Sequence, residues 1–423
     1  MVSFLLIIFY SVFFIFWLLK ISRSRRNHLS AKQVTLSFIT KVAFGMAYGF
    51  LFFKFYNGDD TWQYHNFSLI EYQKLLHHPL DFLLDIRNKA TGSSKLDAFY
   101  DTTGSFWNKL DEVLFIKMLA IFNVFSFGHY YVNVVIFCFV VYLGNLLLFR
   151  QLVHYFPESS PLLTGVIFYL PMSVFWLSGI RKEGILFLAI CMVLYFFERI
   201  LRREKRLICN SVCFLAGLIV LLLLRNFMVM CIAPSLLAWF LSNRFKWNSV
   251  ITFLTIYVLS IFLFFISGKV PGFPSLPEKL TQRQYEFLSL TAKTRLPLDS
   301  LKGTASSYFQ VLPQALNHSF LRPYIYESKG MLQLISAADI ILFFLFVFFT
   351  GIFFKSNRRK VFQNPVILTC VFTAFFAYLI IGYTVPFPGA FVRYKAIFEL
   401  LFFCVFAVTA DIEKIKKTLT IKK

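Results

Sequence analysis

Two adjacent carboxylates, Asp59 and Asp60, open the stretch Asn57-Gly-Asp-Asp-Thr-Trp-Gln-Tyr-His65. A carboxylate held beside a substrate hydroxyl can take its proton as the oxygen attacks. A second carboxylate next to it can orient the first or the acceptor. Helical or turn geometry puts Asp60 and Tyr64 on one face. Read locally, the same pair is an acidic turn capping the helix that follows. Cations recur in three other places: Arg181 and Lys182 in Ser178-Gly-Ile-Arg-Lys-Glu183, Arg393 and Lys395 in Phe391-Val-Arg-Tyr-Lys395, and Arg322 in Leu321-Arg-Pro-Tyr-Ile-Tyr-Glu327. Cations can hold a phosphate while a carboxylate deprotonates a nucleophile. Their local alternative is snorkelling onto lipid headgroups.

Other chemistries find little support. His65, His77 and His78 make no metal-ligand spacing with a Cys or carboxylate pattern, and no glycine-rich phosphate loop or Ser-His-Asp arrangement appears. No cofactor is expected, and a divalent metal is not indicated. The seven cysteines lie in or beside apolar blocks, which argues against disulfides and a metal cluster.

The elements that position these residues follow from composition. Hydrophobic residues make up 58% of the 423, Phe alone contributes 57, and charged residues reach only 15%. Soluble domains carry about 25% charged residues. The apolar residues come in blocks long enough to cross a bilayer of roughly 30 Å. Spans are expected at 3–19, 34–55, 130–149, 160–178, 184–199, 207–224, 227–242, 249–267, 336–354, 364–383 and 395–410. The net charge of +22 sits in short loops between these blocks, as in a membrane protein, and not as a nucleic-acid surface.

Residues 113–127 are apolar but carry Lys117. If they crossed, the basic runs Arg199–Arg206 and Lys355–Lys360 would face outside. If they lie flat in the interface, the strongly basic loops share one side. The expected architecture is therefore an all-α polytopic membrane protein, one domain over 1–423, with about eleven transmembrane helices. Its first outer loop spans 56–129 with an interfacial helix at 113–127, its second spans 268–335, and a cytoplasmic tail spans 411–423. The N-terminus falls outside and the C-terminus in the cytoplasm, across a cell inner (plasma) membrane.

With that layout, the chain resembles the GT-C superfamily of polytopic glycosyltransferases, in its bacterial form. Asp60 and Tyr64 match the family's early outer-loop acid followed four residues later by Tyr. The family's first loop also continues into membrane-parallel helices. One departure is an extra span ahead of the acidic loop. The resemblance implies inverting transfer of a sugar from a polyprenyl-phosphate donor to a hydroxyl on a glycan or lipid acceptor. Asp60 would be the base, with Asp59 orienting it. Arg393 and Lys395, with Arg181, Lys182 and Arg322, would hold the lipid phosphate, and Trp62, Tyr64 and His65 would contact substrate. Membrane lipid is an expected partner. A polysaccharide polymerase or O-antigen ligase using lipid-diphosphate glycans is the nearest rival, and a non-enzymatic lipid or glycan transporter is the other. The transporter reading predicts charges at span centres.

Overall fold

The computed structural model describes residues 2–22, 29–90, 92, 94, 105–290, 295–328, 330–356 and 358–420. The basic residues Arg23, Arg25 and Arg26 of the first loop lie outside them. Regular structure among the described residues is helical, beside one isolated bridge between Phe354 and Ala410. Nine helices there are long and apolar enough to cross a membrane, so the chain is an all-α, multi-pass membrane protein. Contacts divide it into two compact units, one of Met1–Ser94 with Gly104–Arg225 and one centred on Asn226–Lys423.

The first unit holds α1 (Val2–Ser22), α2 (Ala31–Phe55), α3 (Asp59–His77), α4 (Pro79–Leu84), α5 (Ile86–Lys89), α6 (Phe106–Ser126), α7 (Tyr130–Tyr155), α8 (Ser160–Tyr169), α9 (Lys182–Leu201) and α10 (Leu207–Leu224). Helix α7 is its hub, packed on by α1, α2, α6, α8 and α9. Ser30 starts α2 through a capping box with Gln33, so two otherwise orphaned backbone N–H groups are satisfied.

Residues 160–178 do not form the single expected span. Helix α8 stops at Tyr169, Pro171 follows, and Met172–Trp176 wind as a π-helix into a turn. Proline lacks the N–H that would continue the ladder, and π segments gather at such interruptions. Helix α6 begins at Phe106, seven residues before the expected start. It packs along α3, and the charge that argued against a crossing is used there. The Lys117 ammonium reaches Glu71 and Asp85, each at 2.7 Å, the carbonyl of Phe82, and the Phe82 ring face at 4.1 Å. Lys89 also pairs with Glu71, and Lys74 with Asp85 at 2.5 Å. Burial works against the charge on Asp85, but its hydrogen bonds from Lys117 and Lys74 prevail and hold its pKa below the usual value. Polar groups thus lock the loop helices where apolar packing alone would let them slide.

The second unit holds α11 (Asn226–Phe245), α12 (Ser249–Ile266), α13 (Leu276–Ser289), α14 (Ala305–Leu321), α15 (Met331–Ile352), α16 (Arg358–Phe362), α17 (Pro365–Thr384), α18 (Pro388–Thr409) and α19 (Ile412–Thr420). Here α17 is central, touching α11, α12, α13, α14, α16 and α18. Asn364 caps it and Pro365 occupies its first turn. Helices α13 and α14 fold the expected second outer loop. Pro388 starts α18 earlier than the expected 395, so Arg393 and Lys395 belong to a helix and not to a turn.

Candidate functional site

The acid pair is set by a tight turn. Asn57, Gly58 and Asp59 all have positive φ, at 50°, 88° and 43°. Gly58 fits this without strain, and a Cβ there would come within 2.9 Å of Trp62. Asn and Asp tolerate the left-handed region better than other side chains. The turn joins α2 to α3 and leaves both carboxylates in the first turn of α3, about a third to two-fifths exposed.

Arg181 meets them from across the unit. One guanidinium nitrogen bonds Asp59 at 2.5 Å and the other bonds Asp60 at 2.7 Å. The arginine is only 3% exposed and lies over the rings of Tyr48 and Phe52, centred 5.9 and 5.2 Å away. Burial alone would lower its pKa, but Tyr48, Asp60, Asp59 and Glu183 more than offset this, and Arg181 stays firmly cationic. The approach needs Gly179, because a Cβ there would sit 2.3 Å from the Tyr48 ring.

The neighbours of Arg181 diverge. Lys182 bonds Asp111 of α6 at 2.7 Å, with its ammonium 5.5 Å from the centre of the Tyr64 ring. Glu183 pairs with Arg225 at 3.6 Å. Three consecutive residues at the start of α9 thus tie together α3, α6 and the end of α10. Each ion pair joins a different element, so the short charged turn fixes the geometry of the whole rim.

The aromatic residues of the motif take distinct positions. Tyr64 packs edge-on to Phe115, 5.1 Å between centres. Burial, then the nearby acids Asp60, Glu112, Glu183 and Asp111, push its phenol pKa up, so it remains a neutral hydroxyl. Trp62 stacks on Tyr130 at 3.8 Å and donates its indole N–H to the Gly49 carbonyl at 2.9 Å. One face of that indole is therefore committed to packing. His65 is 4% exposed, edge-on to Trp62 and Tyr130, with Nδ1 3.5 Å from the Asn133 amide. Burial drives its pKa down to about 4, so it is a neutral core imidazole and not an open ligand-binding group.

The other sequence candidates lie in the second unit. Arg393 donates its Nε hydrogen to the Gly389 carbonyl at 3.0 Å. Lys395 is 1% exposed, 3.7 Å from the equally buried Glu399, and 5.6 Å from the centre of the Phe391 ring. Arg322 pairs with Glu327 at 3.4 Å, approaches His318 at 3.4 Å, and lies over the Tyr324 ring.

The structure therefore joins Asp59, Asp60 and Arg181 directly, brings Lys182 and Tyr64 beside them, and turns His65 inward. Sequence reasoning missed Asp111, Glu183 with Arg225, and the aromatic bed of Tyr48 and Phe52. Asp111 and Glu112 ahead of an apolar helix were a visible signal; Tyr48 and Phe52 looked like ordinary span residues. Among the described residues, no three His, Cys, Asp or Glu side chains gather as a metal site. No protein-family model matches the chain, and no curated protein or solved structure matches it significantly.

Proposed function

We propose that the chain is an inverting membrane glycosyltransferase of GT-C type. It would move a sugar from a polyprenyl-phosphate donor to an acceptor hydroxyl on the non-cytoplasmic face of the plasma membrane. The observation that carries this reading is the buried Arg181 gripping both Asp59 and Asp60 while leaving their carboxylates partly open to solvent. In the proposed step, Asp60 takes the acceptor hydroxyl proton as that oxygen bonds the anomeric carbon. The bond from that carbon to the phosphate oxygen breaks, and the lipid phosphate departs with its electron pair. Asp59 and Arg181 orient Asp60. Arg393 is kept in this reading as a phosphate-binding cation on residue type and charge asymmetry alone. The layout that goes with it counts the interrupted stretch 160–178 as one of eleven crossings, with 113–127 in the interface, the N-terminus outside and the C-terminus in the cytoplasm.

The test is transfer by the purified chain in liposomes, from a polyprenyl-phosphate sugar and, separately, from a nucleotide sugar. Transfer from the lipid donor that disappears in Asp60→Asn supports the assignment. Full activity of both Asp59→Asn and Asp60→Asn would sink it. A second reading, a lipid or glycan transporter, draws on buried charged residues inside helices: Lys41, Asp339, Lys395 and Glu399. Substrate movement across the same liposomes without sugar transfer would favour it.

A further inference from the structure

Lys41 lies in the middle of α2, a candidate membrane span, and is 2% exposed. A lysine at such depth is costly unless it has a partner or a task. Its ammonium donates to the backbone carbonyl of Ser173 at 2.7 Å. Ser173 belongs to the π segment after the break at Pro171, where the ordinary helical ladder is interrupted. The Ser178 hydroxyl donates to the same carbonyl at 3.3 Å, closing the segment back on itself. Three residues beyond Ser178 is Arg181.

One face of α2 follows this segment step by step. Lys41 holds Ser173. Gly45 lies under the Ser178 carbonyl, where a Cβ would come within 2.9 Å. Tyr48 lies under Gly179, and Tyr48 with Phe52 lies under the guanidinium of Arg181. Positions 41, 45, 48 and 52 recur at helical spacing, so a single rigid surface sets the path from the break to the site.

We propose that Lys41 is a positioning residue, whose bond to the Ser173 carbonyl sets the 173–181 segment so that Arg181 reaches Asp59 and Asp60. This rests on the reading that the acid pair is catalytic. A charged donor suits the task, because a charge-assisted hydrogen bond to a carbonyl is stronger than a neutral one and its value rises in a dry interior. On this account the charge in the centre of α2 is a brace and does not line a transport path.

Two measurements on the full-length protein separate the brace from the reading it rests on. The first is a double-variant cycle in thermal midpoint with Lys41→Met, Arg181→Gln and both together. Acting through one segment, the two losses overlap, and the double variant loses clearly less than their sum. Additive losses overturn the proposal whatever the chemistry is. The second is the sugar-transfer rate. Lys41→Met should lower turnover on the order of 10- to 100-fold, as expected for a displaced catalytic group, at unchanged donor KM. Lys41→Arg, which keeps a cationic donor, should restore most of it. Wild-type turnover in Lys41→Met would overturn the brace and leave the glycosyltransferase reading standing. If the wild-type chain transfers no sugar, that reading falls, and the thermal cycle still decides whether Lys41 acts through the 173–181 segment.

Discussion

The two units differ in the reach of the charged contacts around their candidate residues. In the first, ion pairs close over long stretches of chain: Arg181 meets acids 121 and 122 residues away, Lys182 one 71 away, and Lys117 acids 46 and 32 away. Around the candidate residues of the second, the described contacts are local: Lys395 with Glu399 one helical turn on, Arg322 with Glu327 a few positions on, and Arg393 with a carbonyl four residues back. A local pair can form on an isolated helix and carries little information about the fold. A long-range pair forms only when several elements are already in place, so it is both a product of folding and a gauge of preorganisation. The acid pair sits where such pairs converge, which is where catalysis by a fixed electrostatic environment would be built.

The contrast can be broken at its strongest point first. Asp60→Asn keeps the shape of the side chain and its bond-accepting oxygen but cannot take a proton at neutral pH. Transfer should fall by about 100- to 10,000-fold, the usual loss for a positioned base, while the protein inserts and accumulates normally. Parallel expression and turnover assays check both halves. A collapse of expression would instead mark Asp60 as structural.

Next in size is stability. Lys117→Met leaves Glu71 and Asp85 buried with one partner fewer, and should destabilise the first unit by about 3 kcal/mol, the scale for breaking a buried pair from one side. Arg322→Met breaks a local, partly exposed pair and should cost under about 1 kcal/mol. Denaturation midpoints in one detergent compare the two directly, and equal losses would erase the distinction between the units.

A smaller effect is expected with pH. His65 and His318 are both buried, with pKa values lowered to about 4. Between that value and the ordinary His value of about 6.5, the unfolded chain binds protons that the folded chain does not. Their contribution to stability is therefore complete above the upper value and is lost as pH falls toward the lower one. His65→Phe should flatten the pH dependence of the thermal midpoint in this window, and an unchanged slope would show that His65 is not a source of it. The smallest change is Arg393→Lys. It keeps the charge but loses the planar fork, so donor KM should rise several-fold with the thermal midpoint unmoved.

Much of the molecule was legible as sequence. The membrane class and most helix positions follow from apolar run length and charge, because bilayer thickness and the cost of a bare charge leave few alternatives. The motifs around Asp60 and Arg181 were visible as charges that an apolar chain would otherwise avoid. The break after Tyr169 was not visible, since a single Pro171 in an apolar run is compatible with a kinked but continuous helix. Nor was the early start of α18, where Glu399 offers Lys395 a buried partner one turn away.

The sequence by itself determined which residues would be too costly to leave unpaired. Tertiary structure alone decided which partner each one found. Asp59 and Asp60 could have capped a helix, and Arg181 could have snorkelled to headgroups, because both outcomes satisfy the same local rules. The pairing of the three depends on the left-handed turn at 57–59, the π segment after Pro171, and the close approach of Gly179 to Tyr48. Each is a property of backbone path and close packing between distant parts of the chain, which residue types alone do not specify.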